Sequence, residues 1–292
     1  MDDLVAEARR VRKLLRATDL GGIDPRSTPG LSSRPAQPTQ WSRAELGRVG
    51  VLLAAEQGKL YASAQAGGDR RRVLLVLQAM DTGGKDGTVR AVVGQMNPLG
   101  LSIASFRAPT PLELSHDFLW RIHNALPPAG YVGVFNRSHY EDVLAARVRE
   151  LVPKRVWRSR YDQINAFEAM LVADGLTIVK VMLRISYEEQ CRRLLARLDD
   201  PSKHWKFNPA DLDDRALWPQ YQAAYADVLA RCSTPQSAWY VVPADRKWYR
   251  NWAVANLLLA HLTDLELHFP AGEFDVATQR ARLEGSPDAN NG

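Results

Sequence analysis

Only two cysteines occur in 292 residues, Cys191 and Cys232, and they lack any metal-ligand spacing. They read as free thiols of a reducing compartment, so a cytoplasmic location is expected. No apolar run approaches the roughly 20 residues of a membrane span, and no membrane partner is expected. The start, Met1-Asp-Asp, is acidic and has no apolar segment of the kind a secretory signal carries. Charge of one sign is scarce too: 38 Lys and Arg against 33 Asp and Glu leave a net +5. So small an excess suits an anionic partner without choosing among anions. What is present is ordinary for a globular chain, 46% hydrophobic and 24% charged, and long enough for a full core.

The chain is organised around Val73-Leu-Leu-Val-Leu-Gln-Ala-Met-Asp-Thr-Gly-Gly-Lys-Asp-Gly-Thr88. The Val/Leu run reads as a buried parallel strand. It stops at a glycine-rich turn, Asp81 to Lys85, and a helix opens near Asp86. Strand, glycine-rich turn, lysine and helix are what holding phosphate requires. Small residues let backbone N–H groups close around its oxygens, and the helix start and the lysine add positive charge. Thr82, Gly83, Gly84, Lys85, Asp86, Gly87 and Thr88 are therefore the expected phosphate cradle. The match to a P-loop departs in two places: Ala79 replaces the first glycine, and Asp86 replaces the hydroxyl that usually touches Mg²⁺. Two acids beside a phosphate, Asp81 and Asp86, make sense with a metal between them.

Residues 1–70 differ from the rest. Leu4–Leu15 has helical spacing, residues 21–40 are rich in Gly, Pro and Ser, and Ser42 with Glu45 reads as a capping box for a helix reaching about Ala66. This is expected to be an N-terminal helical extension, followed by a core over 71–270 and a loose tail over 271–292. Within the core, strands are expected at Leu101–Phe106, Tyr131–Phe135, Thr177–Leu183 and Trp239–Val242. Helices are expected at about 113–126, 158–173, 188–198 and 248–265. The alternation predicts an α/β fold of three layers, a parallel sheet covered on both faces. Polar clusters fall where strands end, at Asp81–Lys85, Arg107, Asn136–Asp142, Arg184 and Asp245–Lys247, the place where such folds bind ligands.

Asn136-Arg-Ser-His-Tyr-Glu-Asp142 stands where kinases of this plan place a second metal-holding acid. Here that position is an asparagine, with Glu141 and Asp142 on the next turn as further metal candidates. Ser138 with Glu141 also reads as a capped helix start, which leaves Arg137, a fork of donors suited to phosphate, unexplained. His139 reads as a hydrogen-bonded structural residue. Between about 190 and 220, Arg192, Arg193, Arg197, Lys203 and Lys206 crowd a helix broken at Pro201. A solvated basic face is the usual meaning of such a run. Trp205 and Phe207 interleave with the lysines as apolar anchors, which favours a hinged lid that excludes water from a phosphate site.

Gln78–Arg90, Ser105–Thr110, Phe135–Asp142, Lys203–Phe207 and Pro243–Trp248 resemble, in order, the motifs of the family-2 polyphosphate kinases. The resemblance covers roughly 15–268. It implies a P-loop kinase core related to thymidylate kinases, a helical lid, Mg²⁺ (with Mn²⁺ as a substitute), and phosphoryl transfer between inorganic polyphosphate and a nucleotide. By position, Asp81 and Lys85 match the family's phosphate-loop acid and lysine, Arg137 the arginine after its second acidic motif, and Arg197 its lid arginine. These four are the expected catalytic residues, and Phe106, Arg107, Asn136 and Arg137 the expected nucleotide contacts. Asn136 falls where one subgroup has Asp. Lys85-Asp-Gly87 and Ile23–Gly30 resemble the subgroups that accept nucleoside monophosphates, or both mono- and diphosphates. A homo-oligomer, dimer or tetramer, is expected as well.

The chemistry asks little covalent work of the protein, because phosphoryl transfer is mostly positioning and charge neutralisation. A linear polyanion needs several cations along its path, for which Arg193, Lys203, Lys206 and the Lys154-Arg155 pair are candidates. One rival is an ATP-dependent nucleotide kinase of thymidylate-kinase type, which would use the same core. The other is a nucleic-acid binder using the basic flap. The acids Asp81, Asp86, Glu141 and Asp142 at one mouth speak against it, and no nucleic-acid partner is expected.

Overall fold

The computed structural model describes residues 2–285. Two helices come first, α1 (Asp2–Leu15) and α2 (Pro38–Gln65), then β1 (Arg72–Gln78) and α3 (Lys85–Val92). Next are β2 (Leu101–Ser105), α4 (Pro111–Leu114), α5 (Trp120–Asn124), β3 (Val132–Asn136), α6 (Ala145–Val148) and α7 (Lys154–Ala173). They are followed by β4 (Leu176–Arg184), α8 (Tyr187–Leu198), α9 (Ala210–Ala216) and α10 (Trp218–Cys232). The last are β5 (Trp239–Pro243), α11 (Lys247–Thr263) and α12 (Val276–Glu284).

All strand pairs are parallel, in the order β2-β3-β1-β4-β5. β1 is central and every residue in it is buried. Its side chains alternate between two cores, as a pleat of period two requires. Val73, Leu75 and Leu77 face α1, α2 and α11, whereas Leu74 and Val76 face α7 and α10. This is the predicted three-layer α/β fold, and it explains why the strand reads as an unbroken apolar run. The register sets Leu77 beside Asn136 and Gln78 beside Met182, so the ends of β1, β3 and β4 open at one place. α1 and α2 belong to the same core cluster as α11. Among the described residues, no helix is long and apolar enough to cross a membrane.

Several local expectations are corrected. Ser42 is not a cap: α2 starts at Pro38, whose missing N–H costs nothing at a first helical position. Ser42 instead donates to the Trp248 carbonyl (2.9 Å) and ties α2 to α11. The single helix expected at 113–126 is two short ones. Asp117 accepts the Leu119 N–H (2.9 Å) and Ser115 bonds back to the Leu112 carbonyl (2.8 Å), and these local bonds compete with helix continuation. Helix α7 begins four residues early, directly after Pro153. The tail holds the helix α12, capped by Asp275, where a loose segment was expected; its last part, 286–292, lies outside the described residues.

One charged cluster lies wholly inside the core. Lys180, in the middle of β4, is 0% exposed. Its ammonium donates to Glu168 Oε2 (2.6 Å), the Cys232 carbonyl (2.6 Å) and the Tyr140 hydroxyl (2.9 Å). Glu168 of α7 also accepts from Tyr140 (2.8 Å) and Ser237 (2.9 Å), and meets His139 Nε2 at 3.1 Å. Burial works against the Glu168 charge, but Lys180 and His139 outweigh it and hold its pKa down at about 2. Glu168→Gln is expected to destabilise the fold by about 3–5 kcal/mol, because it leaves a buried ammonium without its counter-ion. A lowered carboxyl pKa contributes stability above the ordinary value of 4.5 that is lost as pH falls towards 2. In chemical denaturation, the gap between wild type and variant is therefore expected to be constant above about pH 5 and to shrink below it.

Candidate active site

The loop after β1 turns on three residues. Thr82 and Gly84 have left-handed backbones, with φ 60° and 108°. A side chain at Gly83 would meet the Ala79 Cβ at 2.6 Å and the Met80 carbonyl at 2.9 Å. The Gly83 N–H bonds to that same carbonyl (3.0 Å), and the Thr88 N–H and hydroxyl both donate to the Gly84 carbonyl. Lys85 is buried beneath the loop with Nζ donating to the Ala79 carbonyl (2.9 Å). Ala79 therefore supplies a backbone oxygen where the sequence pattern lacks its first glycine. Burial, and then Arg137, lower the Lys85 pKa, while Asp81, Glu141 and Asp86 oppose them.

Beside the loop, the chain leaves β3 through Asn136 and Arg137. The register that aligns β1 with β3 continues as a bond from the Arg137 N–H to the Leu77 carbonyl (3.0 Å). Arg137 holds a left-handed φ of 65°, a strained conformation for a non-glycine residue. Its guanidinium donates to Asp81 Oδ1 (2.8 Å) and approaches Glu141 Oε2 (4.0 Å). Burial disfavours its charge, but Glu141 and Asp81 outweigh that and raise its pKa. Asn136 Nδ2 donates to Asp86 Oδ1 (2.9 Å). Asp81, Lys85, Asp86, Asn136, Arg137 and Glu141 thus gather at one mouth, as the sequence predicts. Burial raises the Glu141 pKa, with Arg137 and Lys85 opposing.

Other predicted residues stand elsewhere. Asp142, expected as a metal ligand, turns away: Arg160 bonds its Oδ1 (3.1 Å) and Arg121 lies 3.7 Å from Oδ2. It follows Glu141 in a tight 3₁₀ turn, so the two side chains leave in different directions. Ser138 caps that turn through the Tyr140 N–H (3.2 Å), whereas Glu141 points into the mouth and completes no capping box. Arg193, expected on the polyanion path, is buried and bonded to the carbonyls of Thr82 (2.9 Å), Ala244 (2.6 Å) and Asp245 (3.1 Å). It is a clamp on the loop. Lys203 pairs with Asp200, and Lys206 sits 4.8 Å over the Trp205 ring. Trp205 is 79% exposed and anchors nothing in the core. Lys154 lines a cavity of about 810 Å³ with Arg147, Trp157, Arg158 and Arg231 that includes no residue of the phosphate loop. Phe106 packs edge-on against Phe135 (4.9 Å) under Arg121, and the Arg107 side chain is exposed.

Sequence reasoning missed three partners at the mouth. Gln78 is fully buried at the end of β1 and, with its amide nitrogen turned inward, donates to Glu141 Oε1 (3.2 Å). Gln190 of α8 donates to the Asp81 carbonyl (3.2 Å). Asp211 of α9 pairs with Arg197 (3.3 Å), which also donates to the Lys206 carbonyl (2.8 Å). Burial, and then Asp81, push the Asp211 pKa up to about 6. A second cavity of about 810 Å³ collects Arg43, Arg90, Arg192, Arg246 and Lys247 around one acid, Asp245. Those cations come from four separate elements, which no single stretch of sequence reveals.

The sequence matches the family model of Polyphosphate kinase 2 (PPK2) over residues 43–270. The chain belongs to that family. It is 50% identical over 245 residues to the AMP/ADP-polyphosphate phosphotransferase of Meiothermus ruber, covering 83% of this chain and 89% of the relative. To the ADP-polyphosphate phosphotransferase of Rhodopseudomonas palustris it is 43% identical over 230 residues, covering 75% and 78%. The crystal structure of Polyphosphate Kinase 2 from Arthrobacter aurescens TC1 superposes with a TM-score of 0.91 at 48% identity, covering 96% of this chain and 98% of that one. This PPK2 chain is therefore a kinase, with the P-loop kinase-like fold its sequence predicts.

Two outcomes are expected for this kinase. Arg137→Lys keeps the charge but loses the planar fork, and should reduce turnover nearly as far as Arg137→Ala, by about 10²–10³; steady-state rates of the two folded variants decide this. A raised carboxyl pKa, like that of Asp211, contributes stability below the ordinary value of 3.8 that is lost as pH rises through about 6. Asp211→Asn removes that loss, so its Tm relative to wild type should become more positive between pH 4 and pH 7.

Proposed function

We propose that this PPK2 chain transfers the terminal phosphoryl group of inorganic polyphosphate to AMP and to ADP, with Mg²⁺ bound. The observation that carries the reading is the convergence of a buried lysine, a forked arginine and two loop acids where β1 and β3 end. The acceptor rests on the Meiothermus ruber relative, whose name gives both AMP and ADP. It also rests on Asp86 and Asn136, which stand together at the mouth. The ATP-dependent rival is not favoured, since both relatives are named for polyphosphate.

An oxygen of the acceptor's phosphate attacks the terminal phosphorus of the chain. The bridging P–O bond breaks, the electron pair stays with the shortened chain, and the nucleotide gains one phosphate. The acceptor oxygen is already largely ionised near neutral pH, so no strong base is needed. Lys85 and Arg137 would neutralise charge around the phosphoryl group in flight, where such charge counts most. Asp81 would fix Arg137 through their ion pair, and the N–H groups of the loop would hold the donor's end.

The acids fit a hard cation that relies on substrate oxygens. Asp81 and Asp86 each spend one oxygen on a neighbour and keep another, and among the described residues no three acids, histidines or cysteines converge into a closed cage. Mg²⁺ characteristically takes one or two carboxylates plus phosphate oxygens. Asp81 and Asp86 would hold it, and its chemistry there is to screen the phosphate charges. The rest of the donor chain is assigned to the cavity of Arg43, Arg90, Arg192, Arg246 and Lys247. Their charge suits a linear polyanion better than that of Lys203, paired with Asp200, or of Lys206, set over Trp205.

The deciding experiment incubates AMP, ADP, GMP and GDP separately with polyphosphate and Mg²⁺ and separates the products by chromatography. ADP from AMP and ATP from ADP are expected. ATP from ADP without ADP from AMP would remove the monophosphate assignment. Phosphorylation of AMP by ATP, with polyphosphate inert, would restore the rival.

A further inference from the structure

Arg250, on the first turn of α11, carries a charge that no acid among the described residues balances. Its side chain is buried, 3% exposed. Nε and Nη2 both donate to one neutral oxygen, Asn251 Oδ1 (3.1 and 2.7 Å). Among the described residues, no carboxylate lies within ion-pair distance of it, and Nη1 has no hydrogen-bond partner. The nearest charges make matters worse. Burial, then Arg193, pull its pKa down to about 9, and Lys247 is lowered by burial, Arg193 and Arg250 together. The two acids nearby are committed, Glu189 to Arg192 and Arg193, and Asp245 to Ser186.

The guanidinium is wedged against the phosphate loop itself. A Cβ added at Gly84 would collide with Nη1, and one at Gly87 would stand 2.9 Å from Nη2. Gly84 is thus required twice, by its left-handed φ of 108° and by the arginine occupying the space beside it. A buried cation without a counter-ion is costly to the fold, so its presence calls for a role. The one feature in contact with it that recruits negative charge is the loop.

We infer that Arg250 is an electrostatic positioning residue, a fixed buried cation behind the loop at Gly84 and Gly87 whose counter-ion is the phosphate that the loop binds. It touches no substrate atom. It raises the loop's affinity for phosphate through the field it adds to those of Lys85 and the α3 N-terminus, and the free fold is less stable for it. The inference rests on the reading of this loop as the donor-phosphate site.

Two signs distinguish this role from that of a structural wedge. The test measures Tm of the ligand-free protein and the affinity for inorganic tripolyphosphate with Mg²⁺ by calorimetry. It uses wild type, Arg250→Met, Asn251→Asp, the double variant and Arg250→Lys. Arg250→Met removes the charge and keeps bulk; Asn251→Asp leaves the arginine in place and gives it a counter-ion. Each should raise Tm, by about 2–4 °C, while weakening tripolyphosphate binding roughly tenfold. Arg250→Lys should keep most of the affinity, since charge rather than the fork is what acts. In the Arg250→Met background, Asn251→Asp should add little further loss, because the group it neutralises is gone. Tripolyphosphate affinities within twofold of wild type in both single variants would overturn the inference while leaving the donor site standing. So would a fall in Tm with unchanged affinity, or full additivity in the double variant. Failure of the wild type itself to bind tripolyphosphate would overturn the donor reading and this inference together.

Discussion

Lys180 and Glu168 form an ion pair that never meets water, and the site leans on it. A lone charge in the middle of a parallel sheet is untenable, so the pair must be complete. Completing it draws in β4, α7, the end of α10 and the turn after β3. That turn is the consequential one. Glu168 grips His139 and Tyr140 side by side, and Arg137, two residues before them, and Glu141, directly after them, are those that enter the mouth. The strained backbone of Arg137 is thus fixed from both sides, by the strand register before it and by the buried carboxylate after it.

The mouth is arranged so that its charges nearly cancel at rest. Arg137 lies between Asp81 and Glu141, Asp86 takes the Asn136 amide, and Lys85 turns its ammonium to the Ala79 carbonyl. Behind the loop the balance is different: Arg193 and Arg250 supply positive charge that the local acids do not match. The loop therefore sits between a self-compensated front and an under-compensated back.

Much of this was legible in the residues. The strands declared themselves because both faces of the sheet are covered, so Val73–Leu77 had to be apolar throughout and Ile178–Leu183 apolar but for Lys180. The glycine-rich loop declared itself because a left-handed turn and a close packing contact each leave few residue choices. Lys180 was legible in principle, a single charge amid Ile, Val and Met. The failures have a common cause. Asp142 and Glu141 are adjacent and chemically alike, and only the pitch of a 3₁₀ turn separates their directions. Arg193 resembles a phosphate ligand, and what disqualifies it is three backbone carbonyls contributed by residues far along the chain. The same distance hid Asp211 and Arg250, whose meaning lies entirely in what they approach.

Helix α8 changes allegiance within a single turn. Gln190 and Arg193 are fastened to the carbonyls of the phosphate loop and of the chain after β5. Arg197 is fastened only to Lys206 and Asp211. The helix is thus built into the wall at its root, while its tip holds the segment that follows it. The 200–216 segment is tied back to the root of α8 as well, because Arg215 donates to the Tyr187 carbonyl (2.7 Å) and to Gln190 Oε1 (3.0 Å). Gln190 in turn holds the Asp81 carbonyl, so the basic segment and the phosphate loop are coupled in series, and a pull on one would be felt by the other.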